Sequence, residues 1–255
     1  MENDKFSTES NLHSARFPRG GKEVITMKKN LVVIGYGGMG TWHTQHALKS
    51  DVVELAGIYD IKEEKCALAR ERGIFAYDSL EAVLNDPKVD LVTVAIPNDS
   101  HKEVVIKALE AGKNVICEKP VAMNLAELDE MIAAADKSGK LFSVHQNRRF
   151  DVDFLAMKHL KETGELGEFI NIESRIHGSR GIPSDWRGEK EHGGGMVLDW
   201  GVHLIDQILQ IFDEKIEKIY CTFDHITNKE VDDGFKLKRD AAPYRQLRRA
   251  GRRAF

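Results

Sequence analysis

Short apolar runs alternate with segments whose apolar residues recur at helical spacing, from residue 30 to about residue 150. The apolar runs predict strands at 31–35, 53–59, 90–96, 114–117 and 141–145, with a weaker strand near 74–77. The intervening segments predict helices at 38–49, 62–72, 79–85, 100–111 and 124–137. Regular alternation of strands and helices with short connections is typical of parallel βαβ units. We therefore expect an α/β fold with a doubly wound parallel sheet over residues 28–147.

The pattern changes after Phe150. The sequence now predicts, in order, a helix at 151–162, a strand at 168–177, a glycine-rich charged loop at 178–194, a helix at 195–212 and a strand at 215–226. Val231–Phe235 reads as the start of a further strand. Residues 148–237 are thus predicted to form a second, α+β domain with an open sheet.

The two ends of the chain differ from the rest. Residues 1–27 are polar and lack the apolar segment of a signal peptide, so we interpret them as a disordered extension. Residues 238–255 are rich in arginine and show no strand alternation. For this basic tail we favour a disordered, solvated segment over a short basic helix.

Overall composition narrows the class of protein. The net charge of −4 argues against nucleic acid as the main partner, and no apolar run is long enough to span a bilayer. The three cysteines are scattered along the chain, at Cys66, Cys117 and Cys221. They predict reduced thiols and a cytoplasmic protein rather than a disulfide framework or a zinc site.

A glycine-rich motif directly follows the first predicted strand. It reads Gly35-Tyr36-Gly37-Gly38-Met39-Gly40 and has the spacing G-x-G-x-x-G. In such a motif Gly35 permits a tight turn, Gly37 lets the backbone approach a pyrophosphate, and Gly40 allows close packing of helix and strand. The N–H groups at the start of the following helix face the anion. We predict that residues 35–40 bind a dinucleotide.

Asp60 ends the second predicted strand, twenty positions after Gly40. An acidic residue at this distance binds the ribose 2′-hydroxyl, and its charge repels a 2′-phosphate. Asp60 therefore favours NAD over NADP. The alternative is a turn or helix-cap aspartate ahead of the next helix.

Two other predicted strands end in residues that face the same cleft, because ligands lie beyond the carboxyl ends of parallel strands. Pro97 and Asn98 follow the strand at 90–96 and are predicted to bound the cofactor. His101 either binds the cofactor or packs in the core. Glu118 and Lys119 follow the strand at 114–117, and a lysine here can stabilise a developing alkoxide. The alternative for Lys119 is a solvated loop lysine.

A second block of residues runs from Gly193 to Asp206. Asp199 and His203 are four positions apart and would share a helix face, with Asp206 near the same face. A histidine can take the proton when a hydroxyl becomes a carbonyl. The alternative is a partly buried histidine paired with aspartate. His192 adds too little to make a metal site, so no metal is predicted.

Together these blocks and the segment His145-Gln146-Asn147-Arg148-Arg149-Phe150 resemble the Gfo/Idh/MocA family of glucose–fructose oxidoreductase and inositol dehydrogenase-like enzymes. The resemblance implies a Rossmann domain, a C-terminal α/β domain, and hydride transfer between NAD(P) and a sugar, inositol or polyol. It implies that Lys119, Asp199 and His203 are catalytic, with His203 the proton acceptor. It further implies cofactor contacts from Glu118 and Lys119. The implied substrate contacts are Asn147, Arg149, Trp186, Arg187, Asp199 and His203.

The resemblance stops after Leu237, whereas members of the family continue and complete a larger sheet. We therefore interpret residues 148–237 as a partial domain and the chain as truncated, or shifted in reading frame, at its C-terminal end. A complete domain would make a homo-oligomer, a dimer or a tetramer, through the sheet face.

Three functions follow from these features. The favoured one is an NAD-dependent dehydrogenase of a small sugar or polyol, with neither nucleic acid nor membrane as partner. The second is a non-catalytic NAD-binding remnant of such an enzyme. The third is an interaction protein whose basic tail binds an acidic partner.

Overall fold

A five-stranded parallel sheet organises the N-terminal part of the protein. Its strands are β1 (Lys29–Ile34), β2 (Val53–Tyr59), β3 (Leu91–Val94), β4 (Asn114–Cys117) and β5 (Phe142–Val144). The spatial order is β2-β1-β3-β4-β5, and every neighbouring pair is parallel. The predicted strands and the doubly wound fold are therefore confirmed.

The computed structural model describes residues 28–169, 171–178, 181–183, 185–212 and 215–241. The predicted extension at 1–27 and most of the predicted basic tail lie outside these residues. Within the described ranges, no helix combines the length and the apolar character that crossing a membrane requires.

Five helices connect the strands: α1 (Gly38–Ala47), α2 (Glu63–Glu71), α3 (Leu80–Asn85), α4 (His101–Glu110) and α5 (Leu125–Ser138). Local side chains set where two of them begin. Ser79 accepts a hydrogen bond from the Ala82 N–H ahead of α3. Asn124 accepts from the Glu127 N–H while Glu127 accepts from the Met123 N–H, so a capping box begins α5.

Alternate residues of β1 pack on opposite faces of the sheet. Val32 and Ile34 belong to the core that includes residues of α4 and α5, whereas Val33 packs with Ile58 and Cys66 on the α2 side. This burial on both faces explains the continuous apolar runs of the sequence, since a parallel sheet covered by helices has no solvated face.

The weak strand predicted near 74–77 is reduced to one parallel bridge between Ile58 and Ala76. With this bridge counted as a strand, the order becomes that of the dinucleotide-binding sheet, in which the strand order reverses between β1 and β3 while all strands stay parallel. The crevice at this reversal lies beyond the carboxyl ends of the strands, which is where the predicted site residues stand.

The second part of the protein is smaller. It contains α6 (Val152–Thr163), a π-helical turn at Val197–Gly201, α7 (Val202–Ile211), and an antiparallel pair formed by β6 (Ile216–Asp224) and β7 (Gly234–Ala241). The α+β organisation is confirmed, and the single helix predicted at 195–212 begins with the π turn and continues as α7.

Two predictions in this part are wrong. The described residues of 168–177 form no strand, because an alternating sequence becomes a strand only when a neighbour takes its backbone hydrogen bonds, and the described sheet here pairs only β6 with β7. The residues 238–241, assigned to the basic tail, instead continue β7, where Lys238 is opposite Tyr220 and Arg239 is opposite Ile219. Residues 242–255 lie outside the described part.

The close approach of α1 to the end of β1 gives a test of the fold. A Cβ atom at Gly40 would overlap the carbonyl group of Gly35, whereas one at Gly38 would meet nothing within 4 Å. We expect Gly40→Ala to lower the free energy of unfolding by about 3 kcal/mol. The matched variant Gly38→Ala is expected to leave it unchanged or to raise it by up to about 1 kcal/mol. Urea unfolding followed by tryptophan fluorescence measures both, and equal stabilities would contradict the packing.

Candidate active site

The glycine loop is shaped for close approach by a ligand. Gly35 has a φ of +93°, and a Cβ atom there would overlap the carbonyl group of Ala95, so the loop lies directly on the end of β3. At Gly37 and Gly38 a Cβ atom would meet nothing within 4 Å. No side chain caps the start of α1. The open space and uncapped N–H groups are those that a pyrophosphate requires.

Asp60 ties the glycine loop to the β2–α2 connection. Its Oδ2 accepts a hydrogen bond of 2.7 Å from the Tyr36 N–H, and its Oδ1 accepts one of 2.9 Å from the Lys62 N–H. The contact with Lys62 is the turn role named as the alternative. It is compatible with a ribose contact, since each carboxylate oxygen can accept more than one hydrogen bond. The ribose contact stays a prediction.

Asn98 and His101 are buried residues whose side chains bond to the segments that line the cleft. The buried Asn98 side chain donates to the Gly193 carbonyl at 3.0 Å and so joins the two parts of the protein. His101 is fully buried, and its ring nitrogens lie 2.9 Å from the Pro120 oxygen and 3.0 Å from the Ile96 oxygen. Burial lowers the pKa of His101. These facts correct the predicted cofactor contact of His101 and favour the packing role.

Glu118 is buried between two histidines that the sequence analysis did not select. Its Oε1 lies 2.7 Å from His43 Nε2 and 3.0 Å from His145 Nδ1, and its Oε2 accepts from the Lys119 N–H at 3.2 Å. Burial opposes the charge of Glu118, but the hydrogen bonds from His145 and His43 outweigh it and lower the pKa to about 2. The signal that could have found His43 is its place one turn into the helix after the glycine motif.

Lys119 reaches across the cleft to Asp199. Its Nζ lies 3.0 Å from Asp199 Oδ1 and 2.9 Å from the Asp199 carbonyl oxygen. Arg187 approaches the same carboxylate oxygen at 3.6 Å while also pairing with Asp185. The alternative of a solvated loop lysine does not describe Lys119, because its side chain is only 15% exposed.

The π turn presents Asp199. Gly195 accepts from the Asp199 N–H at 3.0 Å, and the Oδ2 atom of Asp232 accepts from the Val197 N–H at 2.9 Å. A Cβ atom at Gly195 would overlap the Asp232 carboxylate, so only glycine fits there. Asp232 is thus a supporting residue that sequence reasoning missed, because nothing local links it to a turn more than thirty positions earlier.

His203 is buried and oriented by an amide. Its Nδ1 lies 2.6 Å from the Gln146 Oε1, and Gln146 Nε2 donates to the Val202 carbonyl at 3.3 Å. Because that second bond places the amide oxygen toward the ring, Nδ1 carries the proton and Nε2 carries the lone pair. The partner of His203 is Gln146 rather than the aspartate named in the alternative.

The electrostatic surroundings keep the His203 ring neutral. Burial, together with the positive charges of Lys119 and Arg148, lowers the pKa of His203 to about 4, although Asp199 and Glu118 oppose the shift. The imidazole is therefore uncharged at neutral pH and able to accept a proton at Nε2.

The remaining predicted substrate residues are placed around this centre. Arg149 forms a two-bonded pair with Asp206, at 2.8 Å and 2.6 Å, so Asp206 serves Arg149 and does not join Asp199 and His203. The Trp186 ring lies 4.5 Å from the Arg187 guanidinium carbon. Asn147 begins a 3₁₀ turn that leads to α6. The substrate contacts of these residues stay predictions.

Two family models match the chain. The first, described as an oxidoreductase family with an NAD-binding Rossmann fold, matches residues 29–146. The second, described as a GFO/IDH/MocA C-terminal domain, matches residues 154–237. Each match covers one of the two parts seen in the structure.

Individual proteins of known sequence or structure are also similar to this chain. The uncharacterized oxidoreductase YhhX of Escherichia coli is 39% identical over 82% of this chain and 61% of its own length. The myo-inositol 2-dehydrogenase of Thermotoga maritima is 32% identical over 78% of this chain and 59% of its own length. An NAD-binding protein from Listeria innocua, solved by crystallography, has a TM-score of 0.83 at 49% identity, covering 85% of this chain and 64% of that protein. The chain thus spans less than two thirds of each of them.

Both halves of the fold agree with these matches. The chain belongs to the GFO/IDH/MocA family of oxidoreductases.

Proposed function

We propose that the protein transfers a hydride between NAD and a hydroxyl-bearing carbon of a sugar, inositol or related polyol. The observation that carries this proposal is the convergence of Lys119 on Asp199, at 3.0 Å, with a neutral His203 one turn further along. The group lies beyond the carboxyl end of β4, in the crevice that the glycine loop also faces. The inositol dehydrogenase among the relatives supports the class of substrate.

The residues present fit an NAD molecule. We propose that the pyrophosphate binds in the open space at Gly37 and Gly38, and that the adenosine ribose binds to the Asp60 carboxylate, which is held beside the glycine loop by the Tyr36 N–H. Pro97, Glu118 and Lys119 are proposed to border the nicotinamide end. When bound, NAD supplies the acceptor for the hydride, and the protein supplies position and charge.

Lys119 is proposed to hold the reacting oxygen. A lysine ammonium has three N–H donors, and Asp199 takes two of them among the described residues. The third can bind the substrate oxygen and stabilise the negative charge that develops on it. Asp199 fixes the direction of that third donor because it accepts through both its carboxylate and its carbonyl.

His203 is proposed to accept the proton of the substrate hydroxyl as that carbon becomes a carbonyl. Gln146 keeps the Nδ1 position protonated and leaves Nε2 free to accept. Arg187, held on Asp199, and Trp186, stacked on Arg187, are proposed to contact the substrate hydroxyls. Asn147 and Arg149 are proposed to complete that side of the cleft.

A second candidate function is cofactor binding without turnover. It is favoured by the half-exposed apolar face of β6, where Ile219 is 59% exposed and Phe223 is 53% exposed. An exposed apolar face of this kind marks a surface that is normally covered, and while uncovered it leaves the smaller part of the protein, which carries His203, with less stabilising burial. We propose that a homo-oligomer, dimer or tetramer, covers this face, and that the protein acts in the cytoplasm.

An assay distinguishes the two candidate functions. NADH binding without turnover on a wide panel of inositols and sugars would favour cofactor binding alone.

Cofactor preference gives the first test of the proposal. Because the Asp60 carboxylate repels a 2′-phosphate, we expect NADH to bind at least about tenfold more tightly than NADPH, a difference of about 1.4 kcal/mol. Asp60→Asn removes the charge and should reduce the preference for NADH over NADPH. Asp78→Asn is the matched control, since its side chain is 96% exposed. Fluorescence titration measures all three proteins, and tighter binding of NADPH by the unaltered protein would contradict the role of Asp60.

Loss of the lysine gives the second test. Lys119→Met removes the donor proposed for the alkoxide, so kcat/KM on myo-inositol or another active polyol should fall by about 10²-fold or more. Lys107→Met is the control, because Lys107 pairs with Glu103 on the outer surface of α4. Steady-state NADH formation measures the rates. Equal activity of the Lys119 variant, with NADH binding retained, would exclude this catalytic role.

The pH profile tests His203 and its partner. Since the neutral ring is the acceptor, kcat/KM should rise with pH through about 4 and be flat at neutral pH. Gln146→Glu puts a negative charge against Nδ1, favours the imidazolium, and should raise the pKa of His203 by about 1–3 units. The rise of kcat/KM on the acid side of the profile, its acid limb, should shift to higher pH by the same amount. NMR titration of the ring measures the pKa of His203 independently. Gln146→Leu, which lacks both the charge and the acceptor, is the control and should not move the limb upward. An unchanged limb in Gln146→Glu would count against His203 as the base.

A further inference from the structure

Three potential metal ligands converge beside the catalytic lysine. His43 Nε2 and His145 Nδ1 lie 2.7 Å and 3.0 Å from the same oxygen of Glu118, and the three ligand atoms are all within 4.8 Å of one another. They come from α1, from the residue after β4 and from the residue after β5, so three separate segments of the fold aim them at one point.

These side chains are shielded from water. Their exposed fractions are 10% for His43, 7% for Glu118 and 23% for His145. The second carboxylate oxygen of Glu118 is held by the Lys119 N–H at 3.2 Å, which leaves the first oxygen directed at both rings. A buried, fixed donor set of this kind needs little rearrangement to bind an ion.

The chemistry of the donors selects the class of ion. Two imidazole nitrogens and one carboxylate oxygen are the ligands of catalytic-type Zn²⁺ sites, in which a fourth position stays open. Hard cations such as Mg²⁺ and Ca²⁺ prefer a set made of oxygens. The bond lengths that zinc requires, about 2.0–2.2 Å, are reached if the three ligand atoms move slightly apart around a central ion.

We propose that His43, Glu118 and His145 form a binding site for a divalent transition-metal ion, with Zn²⁺ as the natural occupant. The ion would take the ring nitrogens that face Glu118, and the proton that each neutral ring carries there would move to its other ring nitrogen. The ion would tie α1 to the Glu118–Lys119 segment and so fix the backbone that carries the lysine. The competing description is a set of hydrogen bonds from two neutral histidines to one carboxylate, with no affinity for metal.

Trp42 provides a reporter for this site. Its ring centroid lies 5.2 Å from that of His43 and 5.6 Å from that of His145. A paramagnetic ion such as Co²⁺ bound at the site should therefore quench Trp42 fluorescence. A Trp42→Phe variant identifies how much of the quenching comes from this residue.

A second His–carboxylate group supplies the control. His192 lies 3.3 Å from Glu189 and 3.7 Å from Glu191, but these carboxylates are 52% and 79% exposed. The same histidine also pairs with Asp99 at 3.1 Å. Solvated groups of this kind bind ions weakly, so His192→Ala should leave the metal affinity of the protein unchanged.

The experiment uses the full chain, stripped of metal with a chelator and dialysed. Titration with Zn²⁺, followed by elemental analysis, should give one ion per chain, and Co²⁺ titration should give saturable quenching and a visible absorption band. Glu118→Gln keeps an oxygen that accepts from both rings but removes the charge, so it should weaken binding by at least about tenfold. His145→Phe should abolish the Co²⁺ band. Circular dichroism confirms that each variant is folded.

Three results would overturn the proposal. The first is the absence of stoichiometric binding by the unaltered protein, which would leave the hydrogen-bonded description. The second is binding that survives both Glu118→Gln and His145→Phe. The third is binding that is lost in His192→Ala, which would place the ion at the exposed cluster. None of these readouts depends on turnover, so they remain informative if the proposed oxidoreductase activity fails.

Discussion

The contact between Lys119 and Asp199 is the constraint on which the candidate site depends. Lys119 belongs to the carboxyl edge of the parallel sheet, whereas Asp199 belongs to the π turn of the smaller part. Because this pair is only 15% and 23% exposed, water screens the attraction between its charges less than it screens a surface pair. Since the lysine also binds the Asp199 carbonyl, it fixes the backbone of the turn as well as the side chain. The Asn98–Gly193 hydrogen bond adds a second tie nearby.

Placing this cation near His203 has a direct chemical consequence. Burial and the neighbouring positive charges stabilise the neutral ring, so His203 is ready to accept a proton but holds that proton weakly. The Gln146 amide orients the His203 ring but adds no charge beside it. A carboxylate in its place would stabilise the protonated ring and raise the pKa of His203, so the ring would be a stronger base but charged over a wider pH range. The neutral amide instead leaves the ring uncharged at neutral pH, with Nε2 available as a proton acceptor.

Sequence reasoning located the elements whose causes are local. The five strands and the helices between them follow from apolar runs, turn residues and fixed spacing, and the structure confirms them. The cofactor roles of the glycine loop and Asp60 rest on the same local signals and stay predictions. Sequence reasoning failed where the interacting residues are far apart in the sequence. The alternation at 168–177 is genuine, yet no described strand pairs with it. The pairing of Asp206 with Arg149, and of Asp232 with the π turn, depends on segments that only the folded chain brings together.

The histidines show why residue type alone does not assign a role. His101 is closed between two carbonyl groups and serves packing, His203 faces an amide oxygen and keeps a free lone pair, and His43 shares Glu118 with His145. Glu118 then couples this cluster to the candidate site, because its other oxygen holds the backbone N–H of Lys119. An event that moves Glu118, such as the proposed capture of an ion, would therefore act on the backbone of the lysine that we propose to hold the substrate oxygen. The histidine cluster and the candidate site are therefore linked through Glu118, although they use different side chains.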